Sequence, residues 1–444
     1  MDAFYEQYQL GDVLGEGGFG QVFRCQEKAS GTMFAVKTVE PSKIQSTSDK
    51  DKVKNEISIC SVLDHMHVVR LYASFNEMGR FMMVFELLEG GELFDILCSR
   101  DTYSELDANH CIKQLLLALA YLHGSKIIHR DIKPENLMLV KPPINGSLHD
   151  TVLKLVDFGI AKQLTNKQSR ISCDTSGTPY YLAPETLKQE LIGSPVDMWA
   201  AGVILYVLLV GSLPFWLGEK GKGEMFWKIV KGDYSMDKVE WDAISGDAKR
   251  LVSDMLTLSQ DDRISAETAL QSEWIRNKRR VSTIERRQTL CRLKAFNAKR
   301  KLRSAIFAVI AHRRIKSQTP PRAQRKTSGI SNSGDELGSE SESSVVDEGE
   351  VAAANGQVEY TKQVDLQAKL SPLSIPSVSA CERNASESGD SGVAESPVMS
   401  QTTDGLYSED TVMRQRLQHA SIEEKARWKK KRNSIKNVVK ELNL

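Results

Sequence analysis

Neither charge predominates in this 444-residue sequence: 59 Lys+Arg stand against 58 Asp+Glu, a formal net charge of +1. Evenly mixed, such a balance excludes a histone-like polycation and an acidic solvating protein. Cysteine is scarce and scattered. Seven cysteines (25, 60, 98, 111, 173, 291 and 381) form no CxxC pair and no framework spacing. That excludes a zinc ribbon and fits a reducing compartment. Long apolar runs are missing too: the longest, Trp199–Val210, has twelve residues, enough for a buried helix and too short to cross a bilayer. Met1–Tyr8 carries Asp2 and Glu6 and no apolar h-region, so no signal peptide is expected. These absences point to a soluble, cytoplasmic chain. Its length allows two to four domains.

What is present divides into four zones. Residues 8–275 have globular texture, with strand patterns at Tyr8–Leu14, Gln21–Cys25 and Phe34–Val39 followed by longer helical patterns. In one of these, Ser104–His123, Ser104 and Asp107 resemble a capping box, and Leu115, Leu116, Leu119 and Leu122 mark one apolar face. Strands first and helices later predict an α+β fold, a small β-rich lobe joined to a larger helical one. Residues 276–316 hold fifteen Lys/Arg and a single acid, Glu285. Residues 317–410 are rich in Ser, Gly and Pro, and 335–350 holds seven acids and no base; this zone reads as disordered. The last zone, 411–444, is basic again, with Trp428, Ile435, Val439 and Leu442 along a helical stripe.

Chemistry gathers in the first zone. Gly15-Glu16-Gly17-Gly18-Phe19-Gly20-Gln21-Val22 matches GxGxxGxV between two strand patterns. Such glycines let backbone N–H groups approach phosphates. A dinucleotide fingerprint would open a helix here and place an acid about 20 residues on; instead a strand resumes and position 37 is a lysine. Lys37, in Phe34-Ala35-Val36-Lys37, could be a snorkelling edge residue. Glu56 lies nineteen residues later in the helical pattern Lys52–Val62, and paired with it Lys37 could grip α/β-phosphates. The deciding text is His129-Arg130-Asp131-Ile132-Lys133-Pro134-Glu135-Asn136, then Asp157-Phe158-Gly159 and Ala183-Pro184-Glu185. Asp131 can take a hydroxyl proton, Lys133 can neutralise a transferred phosphoryl group, and Asn136 and Asp157 offer hard oxygen ligands to Mg²⁺.

With these motifs in order, residues 8–275 resemble a bilobal eukaryotic protein kinase domain of the calcium/calmodulin-dependent group. The resemblance implies ATP and Mg²⁺ as cofactors, with Phe85 as gatekeeper and Glu86 and Leu88 at the adenine-contacting backbone. It implies that Asp197 anchors the catalytic loop and that Arg263 pairs with Glu185. Glu92 and Glu135 match the acids that receive an arginine three residues before the target hydroxyl, so basic R-x-x-S/T proteins are the implied substrates. Asp174 stands where relatives switched on by an upstream kinase have a threonine. That predicts a segment competent without phosphate, with Thr175 and Ser176 as ordinary loop residues.

The basic zone reads as a switch. Ser282-Thr283-Ile284-Glu285 predicts a capped helix start. Leu302, Ile306, Val309 and Ile310 then lie one to two turns apart on a basic background, an amphipathic stripe suited to calmodulin or a membrane surface. Lys294–Leu302 closely resembles the regulatory segment of calcium/calmodulin-dependent protein kinase type II and of CASK-like kinase domains. The likeness puts Thr289 on an autophosphorylation threonine with Arg286 three residues before it. It implies an autoinhibitory helix, its arginines against Glu92 and Glu135, extracted by Ca²⁺-calmodulin. Counting one, five and ten from Leu302 ends on Ala311, where a large anchor is expected; Phe296 with Val309 is the alternative pair. A type II association domain is not evident.

Three readings remain at this level: a Ca²⁺-calmodulin-activated serine/threonine kinase, a kinase-like scaffold responsive to calmodulin with little catalysis, and a nucleic-acid binder. The last is not expected, because the apolar stripe exceeds what phosphate contact needs. The basic stretch 425–442 is read as a solvated charge run, with a second calmodulin contact, a membrane contact or a nuclear-import signal as alternatives.

Overall fold

In a computed structural model, side chains and backbone are described for residues 3–16, 20–44, 46–144, 147–165, 169–173, 177–216 and 223–306, and backbone alone for 17, 222 and 307–317. Gly18, Phe19, Asp174, Thr175, Ser176 and the zones 318–410 and 411–444 lie outside the described residues, as do the side chains of Val309 and Ile310.

Alternation in the first strands builds the small lobe. Strands β1 (Tyr8–Gly17), β2 (Gly20–Glu27), β3 (Met33–Val39), β4 (Leu71–Glu77) and β5 (Arg80–Glu86) form one antiparallel sheet in the order β1-β2-β3-β5-β4. Successive side chains point to opposite faces. Phe34 and Val36 of β3, with Met82 and Val84 of β5, enter the outer apolar cluster. Val39, Phe81 and Met83 enter the inner one, against Val53 of helix α2 (Thr47–Val62). Lys37 shares the inner face with Val39 by this period of two, and so points toward α2.

The outer face is closed by an element the sequence reading did not foresee. A five-residue helix, α1 (Ala3–Gln7), inserts Phe4 among Tyr8, Phe34 and Phe75. Phe4 is fully buried, stacks on Tyr8 at 5.3 Å and meets Phe75 edge-on at 5.5 Å. Its N–H donates to Glu77 Oε1 at 2.8 Å. Phe4, Tyr5 and Tyr8 among eight residues are too few to set up a helical period, which is why the helix was not legible.

The large lobe is helical, as expected. Helices α3 (Leu93–Ser99) and α4 (Glu105–Gly124) are followed by short strands β6 (Ile127–Ile128), β7 (Leu137–Leu139), β8 (Leu153–Leu155) and β9 (Lys162–Gln163). Then come α5 (Pro184–Leu187), α6 (Pro195–Val210), α7 (Lys222–Lys231), α8 (Val239–Asp242), α9 (Gly246–Met255), α10 (Ala266–Leu270) and α11 (Glu273–Arg276). The capping box is present at α4: Ser104 Oγ accepts from Asp107 N and Asp107 returns a bond to the cap backbone. The twelve-residue apolar run falls in α6, which the lobe surrounds completely. Among the described residues no helix is long and apolar enough to cross a membrane, and the six described cysteines are free.

The last helix, α12 (Arg287–Ser317), begins four residues after the expected start at Thr283. Main-chain bonds to the lobe explain the correction: Leu106 N donates to Ser282 O at 3.1 Å and Arg286 N to Tyr103 O at 2.7 Å. Backbone committed to a neighbour cannot also close helical turns. One compact unit runs as far as Asn297; the helix continues from Ala298 into a second unit.

Replacing Phe4 by Ala should remove about 3–5 kcal/mol, read as a lowered melting temperature of the full chain, whereas the exposed Tyr5→Ala should stay within about 0.5 kcal/mol.

Candidate functional site

The cleft lies on the inner face of the sheet, where the alternation has put Lys37. Lys37 Nζ contacts Glu56 Oε1 at 2.7 Å and Asp157 Oδ1 at 3.3 Å. Burial would lower the lysine's pKa, but the two carboxylates outweigh that and raise it. Burial raises the Glu56 carboxyl in spite of Lys37. Burial would raise Asp157 as well, yet Lys37, His129 and Lys133 together hold it below the ordinary carboxylate range. Asp157 is therefore an anion at neutral pH. Its backbone is left-handed, with φ 63°, and Phe158 beside it is buried against His129 at 4.8 Å.

Of the glycines in the β1–β2 turn, two have distinct roles. A Cβ on Gly20 would sit 1.9 Å from Thr38 O, so this glycine serves the packing of β2 on β3. A Cβ on Gly15 would meet nothing within 4 Å; no protein contact demands a glycine there, and the space above it is open to a ligand. Val22 faces Lys37 across the β2–β3 ladder and Ala35 faces Phe85 across β3–β5, so the expected nucleotide-contacting side chains share one surface. The chain leaves β5 at Glu86, then passes through Leu87 and Leu88.

Opposite this surface lies the loop of residues 129–136. Lys133 Nζ contacts Asp131 Oδ2 at 2.5 Å, Asn136 Nδ2 donates to Asp131 O at 2.8 Å and Thr178 Oγ1 donates to Asp131 Oδ1 at 3.2 Å. The loop is set by Asp197 at the start of α6. This carboxylate is fully buried and accepts from His129 N at 2.9 Å and Arg130 N at 2.8 Å, with His123 Nε2 at 3.0 Å. Arg263 closes the far side with a buried two-pronged pair to Glu185, 2.7 and 3.0 Å. Both pairings match expectation.

A divalent cation or nucleotide can be tested against these donors. Asn136 spends its amide N–H groups on Asp131, leaving its oxygen, and Asp157 is anionic; hard oxygens of this kind suit a small divalent ion bridged to phosphate. Among the described residues no cluster of three His, Cys, Asp or Glu could hold a metal without such help.

Comparison with known proteins agrees with this geometry. A family model described as protein kinase domain matches residues 8–275. The chain belongs to the protein kinase family. It is 42% identical over 307 residues, 69% of its length, to the calcium/calmodulin-dependent protein kinase type II of Caenorhabditis briggsae. The Caenorhabditis elegans protein of the same name matches equally, at 42% over 307 residues. This kinase chain spans 56% and 41% of those two relatives' lengths.

The segment after the kinase domain is docked on the large lobe. Leu290 and Leu293 of α12 are buried, Phe296 packs on Phe94 at 6.0 Å and Asn297 Nδ2 donates to Asp95 Oδ1 at 2.8 Å. Thr289 is buried as well, its carbonyl against Gly211. Three arginines of the basic zone pair elsewhere: Arg286 with Glu105 at 3.0 Å, Arg287 with Glu285 at 3.6 Å and Arg292 with Glu240 at 3.9 Å. None of these three reaches Glu92 or Glu135. Both of those carboxylates are half-buried, at the N-cap of α3 and in the turn 134–136. Glu105 was missed by sequence reasoning. It accepts from Ser245 Oγ, Trp274 Nε1 and Arg286 Nη2, partners far away in sequence that no local pattern announces. Leu302 is exposed, and Ile306 is half-buried.

The site gives a pH expectation. Burial would raise the Asp197 carboxyl, but His123 and His129 hold it below the ordinary carboxylate range. A depressed folded value stabilises fully above the unfolded carboxyl's pKa of about 3.9 and is lost as pH falls through the folded value. The native chain's melting temperature should fall between pH 5 and 3 more steeply than that of Asp197→Asn; equal slopes would show that Asp197 carries no linked proton.

Proposed function

We propose that the chain is an ATP- and Mg²⁺-dependent serine/threonine protein kinase, held off by the segment 276–316 and released by Ca²⁺-calmodulin. The observation that carries the catalytic part is the joint assembly of Lys37 with Glu56 and Asp157 opposite Asp131, Lys133 and Asn136. A scaffold without catalysis has no use for a lysine held by two carboxylates in a cleft.

Each side chain has work to do. Lys37 binds the α/β-phosphates as a fixed cation, backbone N–H groups of Gly15–Gly20 cradle them, and the backbone of Glu86 and Leu88 reads adenine below Phe85. Mg²⁺, held by Asn136 and Asp157, neutralises phosphate charge when bound. Asp131 takes the proton of the substrate hydroxyl as that oxygen bonds to the γ-phosphorus and the bond to the β-phosphate oxygen breaks, leaving ADP. Thr178 supports this role, since its hydroxyl already sits within hydrogen-bond reach of Asp131. Lys133 balances charge on the moving phosphoryl group. Glu92 and Glu135 favour an arginine three residues before the target.

The regulatory part draws on the docking of α12. Phe296 and Asn297 lie along α3, whose first turn Glu92 caps, so a helix seated there crowds a substrate using Glu92. Acidic calmodulin suits the fifteen-to-one basic excess, with Phe296, Leu302, Ile306, Val309 and Ile310 as anchors. Phosphate on Thr289 would put charge into a buried seat and hinder return.

Two outcomes test these parts separately. Lys37→Met should lower peptide phosphorylation by about 10²–10³-fold while the chain stays folded; an unchanged rate would end the catalytic reading. Native chain should gain about tenfold or more on replacing EGTA by Ca²⁺-calmodulin. Leu293→Asp, which puts a charge into the seat of α12, should raise the EGTA rate to within about threefold of the calmodulin rate. Equal native rates in both conditions would end the regulatory reading.

A further inference from the structure

The crossing between the lobes is sewn to the large lobe at both ends, and at one end a side chain reinforces the main-chain stitches. At the far end the stitches are main chain: Glu89 N donates to Val140 O at 3.0 Å, Gly90 N to Leu139 O at 3.0 Å and Leu139 N to Gly91 O at 2.9 Å. At the near end Glu86 Oε1 takes Arg70 N at 2.8 Å and the Nζ of Lys154, on β8 of the large lobe, at 2.7 Å. Lys154 is buried, 8% exposed, and its Nζ also donates to Val68 O at 3.0 Å. The stretch His67–Arg70 is itself stitched to β8, through Leu155 N to His67 O at 2.9 Å and Val69 N to Leu155 O at 3.0 Å. Between the two sewn ends lie Leu87 and Leu88.

We propose that Lys154 is the positioning residue for adenine. By tying the Glu86 carboxylate and Val68 to β8, it sets the height at which the Glu86 carbonyl and the Leu88 amide face the cleft. This inference rests on the reading of that backbone as the adenine contact. A lysine buried at this depth is costly unless its charge is met, and among the described residues the acid paired with it is the side chain of the residue that begins the crossing. Main-chain bonds reach Glu86 only by way of Arg70, whose carbonyl accepts from Glu86 N at 3.0 Å, while His67 and Val69 bond to β8; the ammonium adds a direct link from the Glu86 carboxylate to β8. Adenine contacts of this kind hold in ground state and transition state alike. Their loss therefore raises KM and leaves kcat nearly unchanged.

The test uses full chain with Ca²⁺-calmodulin. Lys154→Met, similar in shape and uncharged, should raise KM for ATP about tenfold, with kcat within about twofold and KM for peptide unchanged. Inhibition by adenosine should weaken by the same factor and inhibition by inorganic tripolyphosphate should not move. Lys154→Arg should restore KM for ATP to within about twofold of native. Should Lys154→Met not fold, Glu86→Gln loosens the same link from its more exposed end and carries the same expectations. The proposal is overturned by an unchanged KM and adenosine inhibition, or by equal weakening of adenosine and tripolyphosphate, which would mean general distortion. Failure of the underlying adenine reading would appear in the native chain itself, as indifference to adenosine.

Discussion

The loop that carries Asp131, Lys133 and Asn136 depends on one carboxylate that no solvent touches. Asp197 stands at the head of the most buried helix and spends its oxygens on the amides of His129 and Arg130. Arg130 is left-handed, φ 71°, a conformation that costs a non-glycine residue about 1–3 kcal/mol and persists only when its surroundings over-determine it. The amide bonds and the seating of α6 are those surroundings. Asp131, the next residue, inherits its direction from them, and Lys133, Asn136 and Thr178 then converge on it. An apolar helix thus aims a polar loop: Asp197 is fixed because α6 is fixed.

Across the cleft the fixing device is the pleat. Val36 and Val39 take opposite faces of β3, one under the aromatic cover of α1 and one under α2, so Lys37 can only point inward. Burial of Phe4 on the outer face and of Val53 on the inner one therefore bear on the same lysine. Glu56 completes the argument from the helix side: Val53 and Glu56 lie three residues apart on one face of α2, so the helix that packs Val53 against Val39 also delivers Glu56 to Lys37. Apolar packing places the charge pair. The pair in turn offsets part of the cost of burying both groups.

How much of this could be read from sequence depended on whether the signal was local. The first strands lie within three residues of their expected ends, α4 carries its capping box, and the apolar run became α6, because alternation, capping and continuous hydrophobicity are properties of a few adjacent residues. The motif residues assemble as their order implied. What was not legible involves a competition between near and far. Ser282–Glu285 has the right residues for a helix start, yet Tyr103 and Leu106 claim that backbone first. Gly20 looks like a phosphate glycine and is required by Thr38. Phe4, Glu105 and Lys154 look like a stray aromatic, a first-turn acid and a strand lysine until their distant partners are known.

The pairing of Arg286 with Glu105 changes how the proposed switch works. On family likeness alone, Arg286 is a recognition arginine waiting three residues before Thr289. In the docked state it is a half-buried structural cation, its guanidinium shared between Glu105 and the Ala243 carbonyl. Recognition arginine and target threonine are thus withheld together, one by an ion pair and the other by the burial of Thr289. Withdrawing Arg286 strands the Glu105 carboxylate with only neutral donors, Ser245 and Trp274, a cost of the order of several kcal/mol for a buried charge. Peeling the helix back from Asn297 toward Leu290 removes the Asn297–Asp95 bond, the Arg292 contacts and the apolar packing first, and meets that cost only at the last step. On the proposed reading, release of the groove and exposure of Thr289 as a complete substrate are then separate events. The first can be reached by a partner that binds the helix, and the second requires the anchor at Arg286 to give way as well.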